Sequence, residues 1–392
     1  MGVFKKTAKP AKATAPKRSL ASHKPFNWIC TAYTISSILT RIPLWTLCFL
    51  LMPSSRLDPS WSLKRTLLVQ IGRRLVDMIG RVEAPVPLSL EPGKEKDQFV
   101  TIDPASADNY QGPLNNPAVA PATIGGTWYP QRPRNLKGLG AHDSVILHLH
   151  GGAFILGDGR NDQAGYLASV LLKHAGAKAV LMPQYRVASR PGLDPFPAAI
   201  QDGLTAYLHL IEVEGVAPRN ITISGDSAGG NMAIALVRYL AEHGPAAGIP
   251  QPQSAFLISP WTDPKKSLLP AKHMKSDPHY ATDILAHSIL RWGTREYARL
   301  VPATDPYITP QDHPFATPVP VLINLGETEL FVDDGTQWAQ DMARVKGNVV
   351  ELNIEAGAPH DTLLLGNMMG CKKSAEGVGA LVGAFIKKHQ EE

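Results

Sequence analysis

The 392-residue sequence predicts an α/β protein, a mostly parallel sheet with helices covering both faces. From about residue 122, short apolar runs alternate with segments of helical length and period, the signature of right-handed β-α-β crossovers. Two of the runs end in glycine-rich turns, His150-Gly151-Gly152 and Gly225-Asp226-Ser227-Ala228-Gly229-Gly230. Glycine directly after a buried strand marks a place where the backbone turns sharply or is closely approached. The composition agrees, because 44% hydrophobic and 19% charged residues suffice for a substantial core. The 33 glycines and 34 prolines enrich the loops but stay below the roughly 25–30% combined share of a disordered chain.

Taken in order, TIGGTWYP (123–130) reads as a strand, and SVILHLH (144–150) as a buried one. Residues 162–175 read as a helix, AVLMPQY (179–185) as a strand and 198–214 as a helix. NITIS (220–224) is a strand that runs into the second glycine turn, and 228–243 is the helix that follows. SAFLIS (254–259), PVLINL (320–325) and VVELNI (349–354) are further strands, and 374–388 closes the body as a helix. Residues 262–316 break the rhythm with Pro-interrupted, helix-like sequence, which predicts an insertion over the site. The catalytic body is therefore expected to span 96–392.

The N-terminal region differs in kind. Residues 1–57 hold nine of the 39 Lys and Arg residues and no acid before Asp58, so the 34 acidic residues outnumber the bases in the remainder. A mildly acidic body offers no basic face for phosphates, which excludes nucleic acid as a partner. Residues 1–26 are Lys-, Ala- and Pro-rich without apolar periodicity and are expected to be a disordered tail. Residues 28–52 are mostly apolar, and 25 helical residues span about 37 Å, enough for a bilayer core of about 30 Å. A central Arg41 costs roughly 2.5–3.5 kcal/mol on the insertion scale, whereas ten Ile, Leu and Phe residues return about 0.3–0.6 each. The near balance predicts a membrane anchor over 27–52, with a buried helical pair broken at Pro43 as the alternative. The charge bias places the body in the endoplasmic-reticulum lumen behind a single pass; a mitochondrial or a peripheral cytoplasmic protein is the alternative.

Residues 61–81 form an amphipathic pattern with an apolar face and Lys64, Arg65, Arg73 and Arg74 opposite. Such a helix lies on a membrane or packs over the body as part of a lid, within a linker of 53–95. Cys30, Cys48 and Cys371 make no disulfide framework and no metal-ligand spacing. Asn220-Ile221-Thr222 is a glycosylation sequon, with Asn220 at the start of a strand.

The chemistry centres on Ser227. G-x-S-x-G between a strand and a helix is a nucleophile elbow, in which Gly225 and Gly229 allow the sharp turn that exposes the hydroxyl at the sheet edge. Backbone N–H groups that nothing shields can hold an oxyanion, so Gly151, Gly152 and Ala228 are the expected donors. His150 is expected to hold its loop rather than act as base, with Ala153 and Asp226 completing the two motifs.

At these two motifs the chain resembles the hormone-sensitive-lipase group of α/β-hydrolases, which carries HGG[GA] before GDSAGG. A third stretch is similar: Tyr185-Arg186-Val187-Ala188, then Phe196-Pro197-Ala198-Ala199 and Asp202, although Ser189-Arg190 stands where the group has Pro-Glu. The resemblance covers roughly residues 120–390. It implies the α/β-hydrolase fold with a helical lid, a serine carboxylester hydrolase acting on short acyl esters, and no cofactor or metal. The acyl group it suggests is acetyl, on a small hydrophobic molecule, as in membrane-anchored deacetylases and fungal natural-product esterases. His360, in Gly357-Ala358-Pro359-His360-Asp361, stands at the group's histidine position. Glu329 stands at its acid position, with Glu327, Asp333 and Asp334 as rivals. A lipase or amidase on the same triad, and a small-molecule receptor on the same fold, are the other readings; an intact His360 disfavours the receptor.

Overall fold

The computed structural model describes residues 18–390; of the tail expected over 1–26, residues 1–17 lie outside them, whereas the rest is structured, with a 3-10 turn at Leu20–Ser22 and Arg18 donating to the Glu83 carbonyl at 2.7 Å. Eight strands form one sheet: β1 (Phe99–Ile102), β2 (Ile124–Tyr129), β3 (Val145–Leu149), β4 (Ala179–Gln184), β5 (Ile221–Asp226), β6 (Ser254–Ile258), β7 (Val321–Gly326) and β8 (Val350–Glu355). Their order is β1-β2-β4-β3-β5-β6-β7-β8. Both pairings of β2 are antiparallel and all later ones are parallel. The strands after 122 lie within two residues of their sequence-derived ranges. β1 was not foreseen: four residues after a charged stretch carry too short a pattern to distinguish a strand from a loop.

The helices are α1 (Phe26–Leu51), α2 (Leu63–Val82), α3 (Asn161–His174), α4 (Ala198–Glu212), α5 (Ala228–Glu242), α6 (Gly244–Ala247) and α7 (Ala271–Lys275). They continue with α8 (His287–Tyr297), α9 (Val332–Arg344), α10 (Thr362–Met369) and α11 (Lys372–Gln390). The two faces of the sheet bury separate clusters. One joins Leu147, Leu149, Ile223, Leu236, Leu257 and Ile323, the other Ile146, Leu171, Val180, Phe256 and Val382. Alternate residues of each strand thus serve opposite layers, as a doubly covered parallel sheet requires.

The register positions the site. Leu149 pairs with Gly225, and Asp226 with Ile258, so the residues that follow β3, β5 and β6 leave the sheet at one edge. Gly326 and Glu355 end β7 and β8 at the same edge.

The N-terminal helices belong to this body. Trp61 is buried, and its indole N–H donates to the Gly357 carbonyl at 2.7 Å, in the loop that carries His360. From Leu67 to Gly80 no residue of α2 is exposed, because α8 covers one side and α1 the other. α1 runs back along α2: Trp45 lies over the Arg74 guanidinium at 5.1 Å, and Arg56 donates to the Phe49 carbonyl at 3.3 Å. Ile38 and Phe49 are the buried residues of α1, while Trp28, Tyr33, Leu39, Leu44 and Leu51 on its other faces are exposed. The amphipathic helix of the sequence is covered on both sides rather than on one.

Asn220 is 1% exposed, and its Nδ2 donates to the carbonyls of Gly140 and Asp143 at 2.9 and 2.6 Å. The atom that would carry a glycan is therefore engaged inside the fold, which overturns the sequon as a modification site.

The α2–α8 contact depends on Gly80, where a Cβ would stand 2.3 Å from the backbone nitrogen of Ile289. Gly80→Val is expected to separate the helices at a cost of roughly 1–3 kcal/mol. Thermal unfolding and limited proteolysis around residues 83–98 measure this; an unchanged midpoint and digest would contradict the packing.

Candidate active site

Ser227 is the hinge between β5 and α5, with φ 52° and ψ −117°. A non-glycine residue at positive φ is strained and persists only where its surroundings fix it. Here the Ser227 N–H donates to the Ile258 carbonyl at 2.9 Å, and its carbonyl accepts from Trp261 N–H at 3.0 Å and Asn231 N–H at 3.1 Å. The turn also needs contact closer than any side chain allows. A Cβ on Gly229 would lie 1.9 Å from the Leu149 carbonyl oxygen, and one on Gly225 2.2 Å from that of Gly229.

His360 follows β8 and Glu329 follows β7. The His360 Nδ1 lies 2.9 Å from Glu329 Oε2, with Glu329 fully buried and His360 3% exposed. The end of β6 ties this pair to the elbow: Ile258 holds Ser227, and the Ser259 hydroxyl accepts from Asp361 N–H at 3.1 Å. The rival acids are occupied elsewhere. Glu327 accepts from Gly357 N–H at 2.7 Å, Asp334 is bonded to Lys266, and Asp333 is exposed. Burial lowers the basicity of His360, but the hydrogen bond and charge of Glu329, with Asp283 and Asp361 behind it, prevail and raise its pKa to about 9. A buried imidazolium beside a carboxylate is stabilised as a pair where either charge alone would be driven neutral.

The loop after β3 departs from expectation at one residue. The Gly151 N–H donates to Asp226 Oδ1 at 2.9 Å, so its single proton is already used and it cannot serve an oxyanion. Among the described residues no acceptor is assigned to the N–H groups of Gly152, Ala153 and Ala228. Gly152, Ala153 and Phe154 all have positive φ, a curl that turns successive N–H groups toward one side. His148 shares Asp226 through Nε2 at 3.0 Å, which locks the two motifs together. His150 stacks on Tyr185 at 4.0 Å and bonds the Gly151 carbonyl, and burial holds it below its ordinary pKa. It is a structural, neutral residue. Arg186 and Asp202 of the third stretch form a buried ion pair at 2.7 Å that fixes the neighbouring loop.

Other groups gave no sequence signal. Phe331 meets His360 edge-on at 5.2 Å, Trp261 stacks on Phe331 at 5.8 Å and Phe154 on Trp261 at 5.4 Å. Tyr297 of α8, within the 262–316 segment, closes this wall over Phe154 at 4.0 Å. Asp283, from the same segment, accepts the Leu330 N–H at 2.6 Å and so clamps the loop of Glu329. A cavity of about 320 Å³ shares Trp261 and Phe331 with the site and adds Leu269, Met274 and Leu330. No cluster of three or more metal-ligating side chains occurs among the described residues.

Residues 146–364 match a family model described as alpha/beta hydrolase fold. An acetyl-hydrolase of Streptomyces hygroscopicus is 37% identical over 205 residues, 50% of this chain and 60% of that protein. The chain thus spans less than two thirds of that relative's length. An ethyl acetate hydrolase of Pseudomonas putida is 27% identical over 253 residues, 62% of this chain and 72% of that one. A solved esterase from the bacterial hormone-sensitive lipase family superposes with a TM-score of 0.57 at 20% identity, covering 84% of this chain and 99% of that one. At that identity the likeness concerns the fold alone.

The Glu329–His360 contact predicts a titration. Followed by NMR of the imidazole, His360 should titrate near 9, as burial opposed by Glu329 dictates. Glu329→Gln removes the partner and leaves the burial, so the pKa should fall below the ordinary value of about 6.5. Asp333→Asn should leave it in place; a fall in that variant instead would assign the acid wrongly.

Proposed function

The chain belongs to the alpha/beta hydrolase fold family, and from that premise we propose that it is a serine carboxylester hydrolase acting on short-chain acyl esters. The observation that carries this reading is the buried Glu329–His360 pair, joined through the end of β6 to a strained Ser227. In the form with a neutral imidazole, Ser227 Oγ attacks the ester carbonyl while His360 Nε2 takes its proton and Glu329 holds the ring through Nδ1; the raised pKa of His360 makes turnover rise toward alkaline pH as that form becomes populated. The tetrahedral oxyanion is received by the N–H groups of Gly152, Ala153 and Ala228. His360 returns the proton to the departing alcohol, and water then cleaves the acyl-enzyme by the same steps. Among the candidate acids Glu329 alone meets His360, so it is the triad acid in this reading.

Phe154, Trp261, Tyr297 and Phe331 stack in one aromatic wall that reaches His360, and Ser227 itself is 7% exposed, which supports a small acyl group such as acetyl. The 320 Å³ cavity beyond it has the volume of a small-ligand site, and its lining sets Leu269, Met274, Leu330 and the two aromatic rings against Asp263, Lys266, His273, Asp277, Asp333 and Asp334, which suits a compact alcohol with both apolar and polar groups. A deacetylase of small molecules, of the kind found in secondary metabolism, fits the aromatic wall; the charged cavity favours a substrate that also carries polar groups. Ser227→Ala and His360→Ala should each lower hydrolysis of p-nitrophenyl acetate by about a thousandfold or more while thermal unfolding is unchanged. Normal turnover by a folded Ser227→Ala protein would end this reading.

We also propose that α1 attaches the body to a membrane. Its mean hydropathy of 1.5 over a window only 11% buried supports this. The single-pass arrangement with a lumenal body requires α1 to leave α2. The Trp45–Arg74 contact and the packing of α1 along α2 favour a helix that stays on the body and lies in the membrane plane. Cys30 and Cys48 stand near the two ends of α1, and Cys371 is buried. In sealed vesicles an impermeant maleimide should treat Cys30 and Cys48 alike. Labelling of one, with the other reacting only after detergent, would establish the span instead.

A further inference from the structure

Between α2 and α8 lies an open cavity of about 710 Å³ whose walls are dominated by cations. Its two acids are already committed. Asp77 pairs with Arg81 at 2.7 Å, and Glu83 with Arg18 at 3.4 Å and Arg295 at 3.0 Å. Arg73, Arg74, Lys275 and Arg291 also line it, and no described carboxylate stands within salt-bridge distance of any of them. Arg73 and Arg291 donate only to neutral oxygens, at Tyr280, Gln70 and Leu268, and the buried Arg74 Nε has no partner. Partial burial, then Arg41 of α1 and Arg73, lower the pKa of Arg74. Asp77 and, for Arg73, Asp283 act on these guanidinium groups from beyond salt-bridge distance and offset their mutual repulsion in part; an anion between them would relieve the rest.

The cavity adjoins the apolar helix through Arg74, although no residue of α1 lines it. Arg74 lies against Trp45 of α1, which places the cavity next to the helix whose outer faces expose Leu39, Leu44, Leu47 and Leu51. Guanidinium groups bind phosphate through paired, charge-assisted hydrogen bonds, and a basic surface beside buried acyl chains suits a lipid headgroup. We propose that this cavity binds the headgroup of an anionic phospholipid in the leaflet on which α1 lies. The inference rests on membrane attachment through α1 and adds to it a charge-selective site. α2 is packed on α8, which covers the catalytic edge, so the bound headgroup would fix the lid-bearing side of the body at the membrane.

Co-flotation of the full-length protein with vesicles tests this, comparing phosphatidylcholine alone with phosphatidylcholine containing phosphatidylserine. At low salt the mixed vesicles should capture the protein at least about 25-fold better, an advantage that high salt removes. Each basic residue near an anionic surface strengthens partition by about fivefold, so Arg73→Gln with Arg74→Gln should weaken capture by mixed vesicles about 25-fold. Capture by phosphatidylcholine alone and hydrolysis of p-nitrophenyl acetate should not change. Should that pair fail to fold, Lys275→Gln with Arg291→Gln tests the opposite wall in the same way. Lys137→Gln with Lys346→Gln, the same charge change on exposed residues outside the cavity, should stay within about twofold; an equal loss there would overturn the site. Equal capture by both vesicle types would overturn the headgroup proposal while leaving attachment intact. No capture by either would remove attachment and this proposal together. Thermal stabilisation by inorganic phosphate without any preference for phosphatidylserine would assign the cavity to a free anion and overturn the lipid.

Discussion

The positive φ of Ser227 is the constraint on which the rest of the site depends. A serine in that conformation is unfavourable by roughly 1–3 kcal/mol, and it survives because both of its backbone polar groups are held. The Ile258 carbonyl takes its N–H, and Trp261 and Asn231 donate to its carbonyl. The glycines at 225 and 229 let the β3 and β5 backbones close to distances that a methyl group would forbid. The proposed nucleophile is thus presented by the sheet itself, through the paired ends of β3, β5 and β6.

Electrostatics extends that geometry outward. Asp226, next to Ser227, accepts from His148 and from the Gly151 N–H, so the carboxylate that stiffens the elbow also curls the glycine loop. That curl leaves the N–H groups of Gly152 and Ala153 free of protein acceptors, beside Ala228 at the start of α5. On the other flank Glu329 and His360 form a dry pair whose stability as ions follows from their mutual attraction. Asp283, from the segment over the site, holds the Glu329 loop and adds negative charge behind the imidazole. Cover and catalytic edge are therefore coupled by a buried carboxylate as well as by the aromatic wall.

The sequence made much of this legible because buried strands and glycine turns are local signals. The strands from β2 onward and the helices after β5 and β8 follow from apolar runs and their punctuation. What it could not carry were facts that depend on a partner distant in the chain. Gly151 looks like a free donor until Asp226, 75 positions away, is placed against it. Asn220 looks like a glycan acceptor until Gly140 and Asp143 close over its amide. The amphipathic pattern of α2 suggests one buried face, yet α1 folds back to cover the other, leaving arginines half-buried with no acid to meet them. Asp283 sits in a Pro-interrupted stretch without periodicity and gave no signal at all.

The central claim is that Ser227 is an activated nucleophile, made so by His360 and the buried Glu329. Treating the folded protein with a fluorophosphonate and mapping the adduct by peptide mass spectrometry tests it most directly. The account predicts one adduct, on the peptide containing Ser227, formed at a rate that collapses in His360→Ala. An unmodified Ser227, or labelling that is indifferent to the loss of His360, would contradict it.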